Sequence, residues 1–74
     1  MPHIGVKCYN GRTDEQKLAV ARKIAASAAE AFGLDVSQVS VSVEDVEKSG
    51  WKRVYDEEII GKPETLFVEP GYEL

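Results

Sequence analysis

The feature that most limits what this chain can fold into is one long helical stretch set between two short alternating ones. Thr13 is followed three places on by Gln16, the spacing of a capping box, and Asp14 and Glu15 suit the positive end of a helix dipole. From Thr13 to Phe32, Leu18, Ala21, Ile24, Ala25, Ala28 and Phe32 recur on one side, while Glu15, Arg22, Lys23, Ser27 and Glu30 take the other. This spacing predicts about five turns at ~3.6 residues per turn. Gly33 stands where a C′ glycine stops a helix. The apolar stripe is mostly alanine, so the helix can approach a sheet closely.

On the N-terminal side, His3 to Tyr9 alternates. Ile4, Val6 and Cys8 share one face, and His3, Gly5, Lys7 and Tyr9 share the other, before Asn10-Gly11 makes a turn. On the C-terminal side, Val39, Val41 and Val43 alternate with Ser40, Ser42 and Glu44 in a strand expected from about Val39 to Val46. Strand, helix and strand predict a βαβ unit with parallel strands and a right-handed crossover. The fold class is therefore α+β, a small βαβ subunit forming a single domain over residues 1–74. Two strands are too few to stand alone, and 74 residues bury little apolar surface. Cys8 has no internal partner, and with His3 it is one of only two soft ligands, so neither a disulfide nor a metal framework is legible. The expected staple is oligomerisation, with a second copy completing the sheet.

The remainder reads as less regular. Lys48-Ser49-Gly50 suggests a turn, and Trp51, Val54 and Tyr55 supply apolar surface. Asp56-Glu57-Glu58 reads as a solvated acidic face, Gly61 and Pro63 break any long helix, and a short turn from Pro63 is allowed. Leu66-Phe67-Val68 is a short apolar piece suited to docking on a neighbouring subunit. The net charge of −4, with no basic cluster, argues against nucleic acid as a partner. No apolar run reaches membrane-spanning length, and the N-terminus lacks the layout of a signal peptide, so the simplest expectation is a soluble cytoplasmic protein without a membrane partner.

The chemistry starts at Met1-Pro2. A small second residue favours removal of the initiator Met, which leaves a proline whose nitrogen is a secondary amine in a rigid ring. Pro2 shares the parity of Ile4 and Val6, so it starts on the apolar side of the sheet. Desolvation and a nearby cation both disfavour a charged amine and bring its pKa toward the working pH, where a general base is most effective. Arg12 lies next to the start of the helix, where free N–H groups already favour anions, and a guanidinium grips a carboxylate with two hydrogen bonds.

Pro2 opening a strand, followed by Gly11-Arg12-Thr13-Asp14-Glu15-Gln16-Lys17 opening a helix, resembles the 4-oxalocrotonate tautomerase family. Over the rest of the chain, Pro2-His3-Ile4, Lys7-Cys8, Trp51, Tyr55-Asp56, Glu58-Ile59 and Pro70-Gly71-Tyr72 resemble its PptA type in order and spacing. The resemblance implies that Pro2 is the acid/base and Arg12 the helix-start arginine that binds the substrate carboxylate. It places Trp51 at an aromatic wall near the amine. The family's second active-site arginine would fall at Ser40, so that role is unfilled, with Lys7 and Arg53 as candidate replacements. His3, next to the base, is a further candidate for substrate binding. Short members of the family are hexamers and the PptA type is dimeric; the tail from Gly61 to Leu74 favours a homodimer, with a hexamer as the alternative.

The expected activity is that of an isomerase, a keto–enol tautomerase of 2-oxoacid enols and dienols that needs no metal or cofactor. Catalysis rests on Pro2 and Arg12, and substrate binding on Trp51, His3 and Arg53. Serine at position 40 predicts a preference for monocarboxylate enols over dicarboxylates. The alternatives are a hydratase or decarboxylase using protonated Pro2 as the acid, or a non-catalytic scaffold subunit if Met1 is retained.

Overall fold

The computed structural model describes all of residues 1–74. Its order is β1 (His3–Tyr9), α1 (Asp14–Phe32), β2 (Ser40–Val46) and α2 (Trp51–Val54), with 3₁₀ turns at Val36–Gln38, Lys48–Gly50 and Pro63–Thr65. β1 and β2 pair in parallel, with His3 opposite Ser40, Val6 opposite Val43 and Tyr9 opposite Val46. The sheet has only these two strands, so one edge of each is unpaired.

The helix begins and ends on the residues that its sequence singles out. Thr13 Oγ1 accepts from the Gln16 N–H at 3.1 Å, and Gln16 Oε1 accepts from the Thr13 N–H at 2.9 Å, closing the capping box. Gly33 takes the left-handed conformation (φ 69°), and the Leu34 N–H reaches back to the Ala29 carbonyl at 2.9 Å. That geometry satisfies carbonyls which a straight helix end would leave open. Lys17 pairs with Asp45 at 2.9 Å, which fixes α1 on the sheet face carrying Ile4, Val6, Val41 and Val43. Ala29, absent from the expected stripe, is the one helix residue that is fully buried, at 6% exposure. Leu18 and Phe32, at the margins of the stripe, stay half exposed or more.

The segment after β2 is more regular than its sequence suggests. α2 continues without a break into a π turn over Tyr55–Ile59, closed by the Ile60 N–H on the Tyr55 carbonyl at 2.9 Å. The acidic run is exposed, as expected of a solvated face, and each of its carboxylates is also paired: Asp56 with Lys52, Glu57 with Arg53 one turn before, and Glu58 with Lys7 on β1. The Lys7 pair docks this helical segment on the sheet face opposite α1. The hydrogen bond to Glu58 is also the main cause of an upward shift in the Lys7 pKa. Gly61 ends the segment under a steric constraint, because a Cβ there would collide with the Asp56 carbonyl oxygen and lie 2.9 Å from that of Glu57.

The layers are thus α1, the sheet, and the C-terminal helical segment. Within one chain they bury only Ala29 and Tyr55, while Phe67 (93% exposed) and Val68 (85%) lie open. No helix is long and apolar enough to cross a membrane.

Candidate active site

Both strands of a parallel pair run the same way, so the loops that follow them meet at one end of the sheet. Ligands of open α/β sheets favour this crevice, outside the carboxyl ends of the strands. Here β1 ends in Tyr9 and leads to Arg12, and β2 leads through the Lys48–Gly50 turn to Trp51. The returning tail adds Tyr72 and Leu74. Together Tyr9, Arg12, Trp51, Tyr72 and Leu74 line an open cleft of about 310 Å³.

The walls are held by aromatic contacts. Trp51 meets Tyr9 edge to face, with centroids 5.2 Å apart and planes at 84°. Its Nε1–H donates to Tyr72 Oη at 3.0 Å, and Tyr72 in turn lies 5.7 Å from the buried Tyr55 ring. Each such ring pair contributes about 0.5–1.5 kcal/mol beyond its area burial. Lys48 Nζ lies 5.6 Å from the Tyr9 ring centroid, on the cation-attracting face.

Arg12 is the polar member of the cleft. Its Nη1 donates to the Tyr9 carbonyl at 2.9 Å, which ties the guanidinium to the end of β1. It makes no ion pair, in contrast to Lys7, Lys17, Lys52 and Arg53. An arginine anchored by one nitrogen and free of carboxylates keeps its remaining N–H donors for a ligand anion.

The other expected site residues lie elsewhere. His3 begins β1 and Pro2 precedes it, at the opposite end of the sheet from Arg12. At ~3.3 Å per residue, the seven residues of β1 alone hold Pro2 and Arg12 roughly 20 Å apart. A single chain therefore brings Arg12 and Trp51 together but not Pro2. Met1 is 97% exposed beyond Pro2. His3 lies beside Ser40 and Ser42, with its Nδ1 2.7 Å from Ser40 Oγ. Arg53 is outside the cleft, its Nε paired with Glu57 at 2.6 Å, and Lys7 is similarly engaged by Glu58.

Tyr9, Tyr72 and Leu74 were not among the expected site residues. Tyr9 had a signal, since it shares the outer face of β1 with His3 and Lys7 and is the last residue before the turn to Arg12. Tyr72 had none of its own, because its place opposite Trp51 depends on how the tail folds back. No three His, Cys, Asp or Glu side chains come together in a way that could hold a metal ion.

This geometry can be set beside known proteins. The model of a family described as "Tautomerase enzyme" matches residues 2–59, which span both strands, the crossover helix and the C-terminal helical segment. The chain belongs to the tautomerase family. A probable tautomerase of Xylella fastidiosa (strain 9a5c) is 44% identical over 73 residues, covering 97% of this chain and 89% of that one. Tautomerases PptA of an Enterobacter species (strain 638) and of Klebsiella pneumoniae (strain ATCC 700721 / MGH 78578) are 40% and 37% identical, with both chains covered in full. These relationships make the protein an enzyme of the isomerase class with a tautomerase-type activity.

Proposed function

We propose that this tautomerase ketonises enol forms of 2-oxoacids at sites built between two copies of the chain. Pro2, freed of Met1, is the acid/base, and Arg12 binds the substrate carboxylate. The observation that carries the reading is the carboxylate-free guanidinium of Arg12 at the lip of an aromatic cleft. It is a receptor for one anionic group with an apolar body attached.

The proton accounting is simple. The Pro2 nitrogen takes the proton of the enol hydroxyl, and the oxygen electrons form the C2 carbonyl. The enol double bond then takes the same proton from Pro2 onto C3. The amine ends as it began, and nothing is consumed. Arg12 holds the carboxylate and the adjacent oxygen, stabilising the charge that develops there. With Met1 attached, the Pro2 nitrogen is an amide and cannot act as a base. The exposed Met1 is open to removal.

Two copies are required because Pro2 and Arg12 occupy opposite ends of β1. An antiparallel apposition of two sheets along their free edges sets the Pro2 end of one chain against the Arg12 end of the other, and a two-fold axis makes both sites at once. The same apposition gives one unpaired edge of each chain a partner. A homodimer is the smallest assembly that does this.

The cleft also favours one substrate class. Arg12 is its free cation, Ser40 supplies no charge, and Lys7 and Arg53 are committed to glutamates. An unmatched buried charge costs roughly 2–5 kcal/mol, and each ~1.4 kcal/mol is a factor of ten. Monocarboxylate enols such as phenylenolpyruvate should therefore be preferred over 2-hydroxymuconate by tens-fold or more. The test is kcat/KM for both compounds on protein whose intact mass shows Met1 removed. A tenfold advantage for the diacid, or full activity with Met1 retained, overturns the reading.

A further inference from the structure

The sheet face away from α1 carries a polar set that the aromatic cleft does not use. His3 stands directly opposite Ser40 in the strand register, and Gly5 opposite Ser42. One imidazole spans both hydroxyls, with Nδ1 2.7 Å from Ser40 Oγ and Nε2 3.4 Å from Ser42 Oγ. The set is tied to the proposed base, because the Ser40 N–H donates to the Pro2 carbonyl at 3.2 Å. Gly5 leaves the floor beside it open, since Ser42 Oγ is the only atom that would lie within 4 Å of a Cβ there.

The protons decide what such a set can bind. A neutral imidazole has one N–H and one bare nitrogen. The hydroxyl facing the bare nitrogen spends its proton on the ring and shows a ligand only lone pairs. The hydroxyl facing the N–H accepts from the ring and keeps its own proton to donate. With the imidazole neutral, the set thus keeps one O–H donor free alongside hydroxyl lone pairs, whichever nitrogen carries the proton. That matches a hydroxyl or a carboxamide, each of which both donates and accepts. A carboxylate accepts only and meets a lone pair. Charge points the same way: Lys7, the cation on this face of β1, is held by Glu58, and Glu44 adds a negative charge on the same face of β2.

We propose that His3, Ser40 and Ser42, at the Pro2 end of the sheet and on the face that also carries Tyr9, form a specificity subsite for a neutral hydrogen-bonding group at the distal end of a 2-oxoacid enol. This rests on the proposed role of Pro2. The experiment compares kcat/KM for the enols of (4-hydroxyphenyl)pyruvate and phenylpyruvate on wild-type protein, Ser40→Ala, Ser42→Ala and Ser40→Thr. The hydroxylated enol should lead by roughly three- to tenfold on wild type, the reach of one net hydrogen bond. That lead should fall toward unity in either alanine variant, through KM of the hydroxylated enol, and return in Ser40→Thr. If phenylenolpyruvate turns over but the ratio is the same in all four proteins, this inference alone is overturned. If processed wild type turns over neither enol, the reading of Pro2 fails and the subsite falls with it.

Discussion

Mixing two impaired variants tests the geometry of the site most directly. A general base must lie within about 2.6–3.2 Å of the proton it takes, whereas β1 holds Pro2 and Arg12 of one chain roughly 20 Å apart. No side-chain rearrangement closes that gap. Arg12→Ala removes the carboxylate grip and should lower kcat/KM by roughly thirtyfold to a thousandfold or more, the range for losing one partner of a buried charge pair. Pro2→Ala keeps an amine but loses the ring, and should retain a small residual rate. Neither variant makes a good site with itself. In a mixed dimer, one site carries both defects, and the other combines an intact Pro2 with an intact Arg12. Random re-pairing of equal amounts makes half the dimers mixed, each with one good site of two, so the mixture should recover about a quarter of wild-type activity. The assay is ketonisation of phenylenolpyruvate after co-refolding, with native mass spectrometry to show that mixed dimers have formed. Mixed dimers no more active than the summed parents would refute a site shared between copies.

Other expectations follow from single contacts. Gly61→Ala drives a methyl group onto the carbonyls of Asp56 and Glu57; a loss of about 1–3 kcal/mol is expected, measured by denaturant unfolding, and an unchanged midpoint would show that the turn relaxes freely. Asp35 caps the turn before β2, accepting from the Ser37 N–H at 3.0 Å and from its hydroxyl, and these bonds hold its pKa below the ordinary aspartate range. A depressed folded-state pKa gives stability that is present above the unfolded value and lost as pH falls through the folded one. Asp35→Ala should thus lower Tm at neutral pH, with the gap to wild type closing in acid below about pH 4; a gap independent of pH would deny the carboxylate this role. Tyr72→Phe removes the acceptor for Trp51 Nε1 at a cost of about 0.5–1.5 kcal/mol. Because Trp51 is the only tryptophan, its emission should become more accessible to acrylamide in that variant, and identical quenching would mean that the tail does not rest on it.

What could be read from the chain alone was whatever local chemistry decides. The capping box at Thr13, the left-handed Gly33 and the two period-two stretches each act within a few residues, so the βαβ unit and its parallel pairing were legible before any coordinates. The separation of Pro2 and Arg12 at opposite ends of β1 was not drawn from the sequence, because the family resemblance put them together as one catalytic pair. Three things needed tertiary structure. The helical run from Trp51 to Ile59 was hidden because its regularity depends on a pair to Lys7, a residue 51 positions from Glu58. Tyr72 entered the cleft because the tail folds back on Trp51 and Tyr55, which no spacing encodes. Ser40 looked in the sequence like a missing cation, and only the strand register showed that it faces His3. Local propensity acts over one turn or one pleat, whereas a binding surface is assembled from residues that the chain brings together only after its elements have packed.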